Sequence, residues 1–212
     1  MNFTKIKTFH HLYIPANKKT TKTMVILHGR GDSYYGFQDF VGELNYPDIN
    51  YLLINAPDEY FFGYSWYDLF PNQLPGIIRS RELLDQLFNE FDQMKIPSQD
   101  VLMFGFSQGC LMCLEWGGRT KRNLAGFIGV SGYCYDPIML GKELSDNAKK
   151  SSWLITHGKE DDVLPYYETE KDIGYLIKAG LPIDFHSYHK GHTIDPTKEF
   201  ALIRKRIIQI FQ

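Results

Sequence analysis

Two hydrophobic patterns alternate along the chain from about residue 10 to its end. The first is a short run with few polar interruptions, as in TMVILHG (23–29), INYLLINAP (49–57), DVLMFGFSQG (100–109), LAGFIGVSG (124–132) and SWLITHG (152–158). Runs of this length, bounded by Gly, Pro or Asn, predict strands buried on both sides. HHLYIPA (10–16) and IDFHSYH (183–189) add a more polar strand at each end. The second pattern repeats every three to four residues. Leu83, Leu84, Leu87, Phe88, Phe91 and Met94 share one face, which predicts a helix from about Arg79 to Met94. YGFQDFVGEL (35–44) predicts a helix with Asp32 or Ser33 as its N-cap, and CLMCLEWGG (110–118) one closed by glycines. YETEKDIGYLIKAGLP (167–182) predicts a helix stopped at Gly180 with Pro182 beyond, and PTKEFALIRKRIIQIF (196–211) a last one. DEYFFGYSWYDLFPNQLPG (58–76) reads as a long aromatic loop.

Apolar strands alternating with amphipathic helices predict an α/β fold with a mostly parallel sheet covered on both faces. No repeat, linker or low-complexity tract interrupts the alternation, so residues 1–212 read as one domain. Ligands in such sheets bind at the carboxyl ends of the strands. Composition alters this picture little. Apolar residues make up 43% and charged residues 23% of the 212, and the net charge is −2, which gives no electrostatic case for nucleic acid or an anionic membrane. No apolar run reaches the ~20 residues that span a bilayer. The opening MNFTKIKTFHHLYIPA lacks a leader's apolar stretch, and three cysteines make no disulfide framework. The expectation is therefore a cytoplasmic protein. No metal-ligand cluster stands out, and the RKR at 204–206 reads as the solvated face of its helix.

The candidate chemistry sits at strand ends. Gly105-Phe106-Ser107-Gln108-Gly109 is a G-x-S-x-G with a strand before it and a helix after it. That context defines a nucleophile elbow, in which the serine rides a strained turn and the glycines let the strand and helix backbones pass. A serine hydroxyl needs a base, and the base needs a carboxylate to orient it. On this kind of fold the acid and then the histidine follow the serine in sequence. Glu160, Asp161 and Asp162 lie just past a strand end; His186, His189 and His192 come later. His186 falls inside a strand and His189 at its end. His192 lies in the loop beyond, after Gly191, and loop position favours it. His157, His10 and His11 read as structural, as does Ser131, which lacks a second glycine at the right spacing. Cys110 and Cys113 have redox spacing but read as two small buried side chains on the helix behind the serine.

LHGRGDS (27–33), SWYDL (65–69), GFSQG (105–109), HGKEDDVLP (157–165) and the Gly191-His192 pair occur in an order and spacing that resemble the phospholipase/carboxylesterase group of α/β-hydrolases, which includes the acyl-protein thioesterases. The resemblance spans nearly the whole chain. It implies an α/β-hydrolase fold and a Ser107–Asp161–His192 triad, because the family pattern H-G-x-x-D-x-x-x-P puts its aspartate at Asp161. Asp162 stands where family members often carry proline. It also implies an oxyanion hole from the backbone amides of Arg30 and Gln108, and hydrolysis of esters or thioesters through an acyl-enzyme without a cofactor. Substrates would be small or lipid-like acyl esters, including acylated proteins; oligomerisation is left open. Trp66, in the family's S-W-x-D-L stretch, is the implied substrate contact, with Leu164 and Tyr34 as further candidates. Two departures stand out. Arg30 occupies a place where the family usually has an apolar residue. Only Tyr135 to Ser152 separates two successive strands, which leaves no room for a cap domain. The Gly-Arg-Gly-Asp-Ser string also matches an adhesion motif, but it emerges from a central strand rather than a free loop, and short strings match by chance.

Overall fold

The structure is a computed structural model that describes residues 3–212; Met1 and Asn2, the start of the segment read for a leader, lie outside it. Seven strands form one sheet: β1 (His11–Ile14), β2 (Thr23–Leu27), β3 (Asn50–Ile54), β6 (Val101–Phe106), β7 (Gly126–Val130), β8 (Ser152–Gly158) and β9 (Ile183–Tyr188). Their order is β1-β3-β2-β6-β7-β8-β9. Only β1 runs antiparallel to its neighbour; every other pairing is parallel. The alternation of side chains divides the core into two layers. Val25 and Leu27 of β2 face one layer with Met103 of β6, whereas Met24 and Ile26 face the other with Leu102 and Phe104. Helices α2 (Gln73–Gln93), α3 (Gln108–Gly117), α4 (Pro137–Glu143) and α5 (Tyr166–Lys178) cover the first layer. Helices α1 (Gln38–Leu44) and α6 (Lys198–Phe211) cover the second. The result is an α/β-hydrolase fold with no separate cap; between β7 and β8 stand only α4 and a 3-10 turn.

Four local readings change. The aromatic segment is not all loop: β4 (Asp58–Tyr60) and β5 (Gly63–Ser65) pair as a hairpin. Helix α2 begins at Gln73, six residues ahead of the sequence reading. Of the two candidate caps, Ser33 accepts from the Tyr35 amide at the start of a 3-10 turn that precedes α1. The basic triplet on α6 is more than a solvated face as well, since Arg204 donates to the Leu44 carbonyl and Arg206 pairs with Asp184. Among the described residues no helix is long and apolar enough to cross a membrane.

Candidate active site

Ser107 sits between β6 and α3 with φ 53° and ψ −115°. A non-glycine residue in that region costs roughly 1–3 kcal/mol, so the surrounding structure has to impose it. Two glycines allow it. A methyl group on Gly105 would overlap the Gly109 carbonyl, and one on Gly109 would overlap the Leu27 carbonyl. Hydrogen bonds then fix the turn: the Ser107 amide donates to the Val130 carbonyl at 2.9 Å, and the Leu111 amide to the Ser107 carbonyl at 3.2 Å. Strand, turn and helix together lift the hydroxyl above the sheet at the first turn of α3.

His192 reaches that hydroxyl from the loop between β9 and α6. Its Nε2 lies 3.0 Å from Ser107 Oγ, and its Nδ1 lies 2.8 Å from Asp161 Oδ2. A carboxylate only accepts, so Nδ1 carries the proton and Nε2 is left to accept from the serine hydroxyl. The other oxygen of Asp161 accepts from the amides of Val163 (3.0 Å) and Leu164 (2.8 Å), which holds the buried carboxylate in one orientation. The alternative residues are engaged elsewhere: His186 with Asp184, exposed His189 with Glu160. Asp162 is exposed. His157 is buried and donates from Nε2 to the Leu164 carbonyl at 2.9 Å; burial lowers its pKa from 6.5.

A buried ion pair that sequence reasoning missed anchors the His192 loop. Lys190 is 6% exposed and Glu199 fully buried, with Nζ 2.7 Å from Oε1. The same ammonium donates to Ser131 Oγ at 3.2 Å and to the Thr193 carbonyl. Glu199 Oε2 accepts from the Asp195 amide at 2.6 Å. One charge pair therefore ties the residues flanking His192 to the start of α6 and to the end of β7. Burial pulls the Lys190 pKa down, and Glu199 opposes that shift. Nothing in the local pattern distinguishes either residue from a solvated charge.

The loop after β2 is fastened just as closely. The Ala56 amide donates to His28 Nε2 at 3.0 Å, so His28 Nδ1 carries the proton and donates to the Gly29 carbonyl at 2.6 Å. Burial lowers the His28 pKa, consistent with this neutral form. The Gly31 amide donates to the Tyr64 carbonyl, the Tyr64 amide returns a bond to Asp32, and Gly31 adopts φ 81°. The Gly-Arg-Gly-Asp-Ser string is thus zipped against the β4–β5 hairpin. The Arg30 guanidinium lies over the Tyr60 ring, 4.1 Å from its centroid. The Gln108 side chain ties the next segment down, accepting from the Trp66 amide at 3.0 Å and donating to the Tyr67 carbonyl at 2.9 Å.

Trp66 is placed differently from the sequence expectation. It is fully buried, and its indole donates to the His28 carbonyl at 2.9 Å, so it holds the β2 loop from within the core. Tyr34 packs partly against the α1 layer with its ring tilted against that of Tyr35, outside the depressions beside the site. Leu164 does line one, a groove of about 520 Å³, with Leu69, Phe70, Tyr133 and Val163. Within the aromatic segment, Trp66 and Tyr67 are core whereas Phe61, Phe62 and Phe70 are exposed. Cys110 and Cys113 are free and fully buried; burial pushes the Cys110 thiol up to about 12. Among the described residues there is no group of three or more His, Cys, Asp or Glu placed to hold a metal.

The fold and the elbow geometry define an α/β-hydrolase. Residues 10–209 match the family described as Phospholipase/Carboxylesterase, and the chain belongs to that family. It is similar to acyl-protein thioesterase 1 of Emericella nidulans, 28% identical over 212 residues that cover 87% of this chain and 89% of that protein. The acyl-protein thioesterase 1 of Schizosaccharomyces pombe is 31% identical over 74% of this chain and 76% of its own. Among solved structures, esterase PE8 superimposes with a TM-score of 0.85 at 27% identity, covering 95% of this chain and 99% of that one. Membership makes the chain a hydrolase of the phospholipase/carboxylesterase class.

Proposed function

We propose that the chain cleaves acyl esters or thioesters through a covalent intermediate on Ser107, with His192 as base and acid and Asp161 as its partner. The observation that carries this reading is the unbroken hydrogen-bond chain from Asp161 through His192 to Ser107, at 2.8 and 3.0 Å. As Ser107 Oγ attacks the carbonyl, its proton passes to His192 Nε2 and the imidazole becomes positive. Buried Asp161 stabilises that charge and fixes the tautomer. The tetrahedral oxyanion takes the backbone amides of Arg30 and Gln108. The Gln108 amide is the first of α3 and has no acceptor within its helix, and the Arg30 amide directly precedes the Gly31 amide, which is bonded to the Tyr64 carbonyl. Each such donor contributes about 3 kcal/mol to the transition state. His192 then gives its proton to the departing oxygen or sulfur, and water repeats the cycle to free the acid.

Leu164, whose amide bonds Asp161, lines a groove with Leu69, Phe70, Tyr133 and Val163 that offers apolar wall to an acyl group. The names of the relatives make acylated proteins and lipid-like esters the substrates to try first. The test is hydrolysis of p-nitrophenyl esters and acyl thioesters of increasing chain length by the wild type and by Ser107→Ala. The wild type turns over both series and the variant neither. Undiminished turnover by Ser107→Ala would overturn the assignment.

A further inference from the structure

A second depression, about 360 Å³, has His192 itself in its wall, on the side away from the Leu164 groove. Its floor is aromatic: Phe37, Phe40, Phe106 and Phe200 line it, and the Phe106 ring centroid lies 5.1 Å from that of His192. Thr193, Ile194 and Pro196 add to the wall; two carboxylates, Asp32 and Glu43, also line it, and no lysine or arginine does. The proposed reaction gives this place a meaning. When the tetrahedral intermediate collapses, the C–O or C–S bond breaks as His192 Nε2 protonates the departing atom. That atom must then lie within hydrogen-bond reach of Nε2. The body of the leaving group therefore extends past His192, while the acyl group remains attached to Ser107.

We propose that this cavity is the leaving-group subsite, and that it selects an alcohol or thiol with an aromatic or branched apolar body that is neutral or cationic. Phenyl faces carry negative quadrupole density, which suits an apolar body and attracts a cation placed over them. The two carboxylates add attraction for a positive terminus and repel a negative one. A phosphate-bearing leaving group, as in a lysophospholipid, meets the wrong sign on every charged side chain of the lining. The inference rests on the Ser107–His192 reading and deepens it by naming the half of the substrate that departs.

The test uses three thioesters with one acyl group and matched benzyl thiols, para-substituted with hydrogen, trimethylammonium or phosphonate. A common acyl group gives a common deacylation step, so differences report acylation through kcat/KM. The account predicts that the cationic thioester exceeds the anionic one by about tenfold or more at low salt. That ratio shrinks as salt rises. In Glu43→Gln, and further in Asp32→Asn/Glu43→Gln, the ratio within each protein falls towards one. Ser107-dependent hydrolysis with a flat or reversed charge order, or an order that the variants leave unchanged, would overturn the inference and leave the acyl-enzyme reading intact. Failure to hydrolyse any of the three would sink that reading and the inference with it.

Discussion

The two arms that meet at the proposed active site differ in what holds them. On one side, the elbow positions Ser107 by steric necessity: neighbouring backbones approach so closely that only glycine fits at 105 and 109, and the serine is forced to φ 53°. On the other, the loop that presents His192 also packs closely, since a methyl on Gly158 would overlap the Lys190 and Gly191 carbonyls, but it leans in addition on a buried charge pair, Lys190 with Glu199. The first arm is set by backbone contacts with β2 and β7 and carries no buried charge. The second joins residues from β7, the loop and α6, and it depends on keeping an ammonium buried beside a carboxylate. Precision at one reaction centre thus has two physical origins, and they should fail in different ways.

The largest effect comes from removing the proposed base. His192→Ala lowers kcat by about 10⁶-fold, leaving the ~10³–10⁴-fold over water that the oxyanion amides and binding supply, with little change in thermal unfolding. Next is the clamp. Lys190→Met leaves Glu199 buried and unpaired, which costs about 3–5 kcal/mol in denaturant unfolding. Lys190→Met/Glu199→Leu recovers most of that stability because no orphan charge remains. Its kcat stays low and the pH profile of kcat/KM is altered if the pair positions His192, whereas a purely structural pair would let both return. Third is the elbow. Gly109→Ala must push the helix off the Leu27 carbonyl, and a displacement near 1 Å costs about 100-fold in kcat/KM. No second charge change rescues that variant.

The contrast explains what the sequence could disclose. Strands and the G-x-S-x-G elbow were readable because each is written in consecutive residues. The β4–β5 hairpin was not, because its two-residue turn is Phe61-Phe62, with Phe61 at φ 50°, where hairpins usually show Asn or Gly. The first turns of α2 were hidden by Pro75 and Gly76. Proline is tolerated in a first turn, and Gly76 is needed there because a methyl would come within 2.7 Å of Tyr67 Cβ. Trp66 was read as pocket wall from its place in SWYDL. Its burial follows from partners far along the chain, His28 and Gln108. Lys190 and Glu199 looked like ordinary surface charges for the same reason. The site's chemistry is local in sequence, and its support is not.

The smallest effect is on pH. Burial lowers the pKa of His28 and His157 below 6.5 in the folded protein. Below pH 6.5 the unfolded chain therefore binds more protons than the folded one, and stability falls as pH falls through that range. Thermal unfolding at pH 7.5 and 5.0 measures it, and His157→Gln should flatten the dependence. The decline is confined to stability near both arms' supports and does not separate nucleophile from base.

The most direct test of the central claim is covalent. A fluorophosphonate reacts with an activated serine, and peptide mass spectrometry locates the adduct. The account predicts one adduct per chain, on Ser107, formed in step with loss of ester hydrolysis and abolished in His192→Ala. Full labelling of another residue, or hydrolysis that continues once Ser107 is modified, would contradict it.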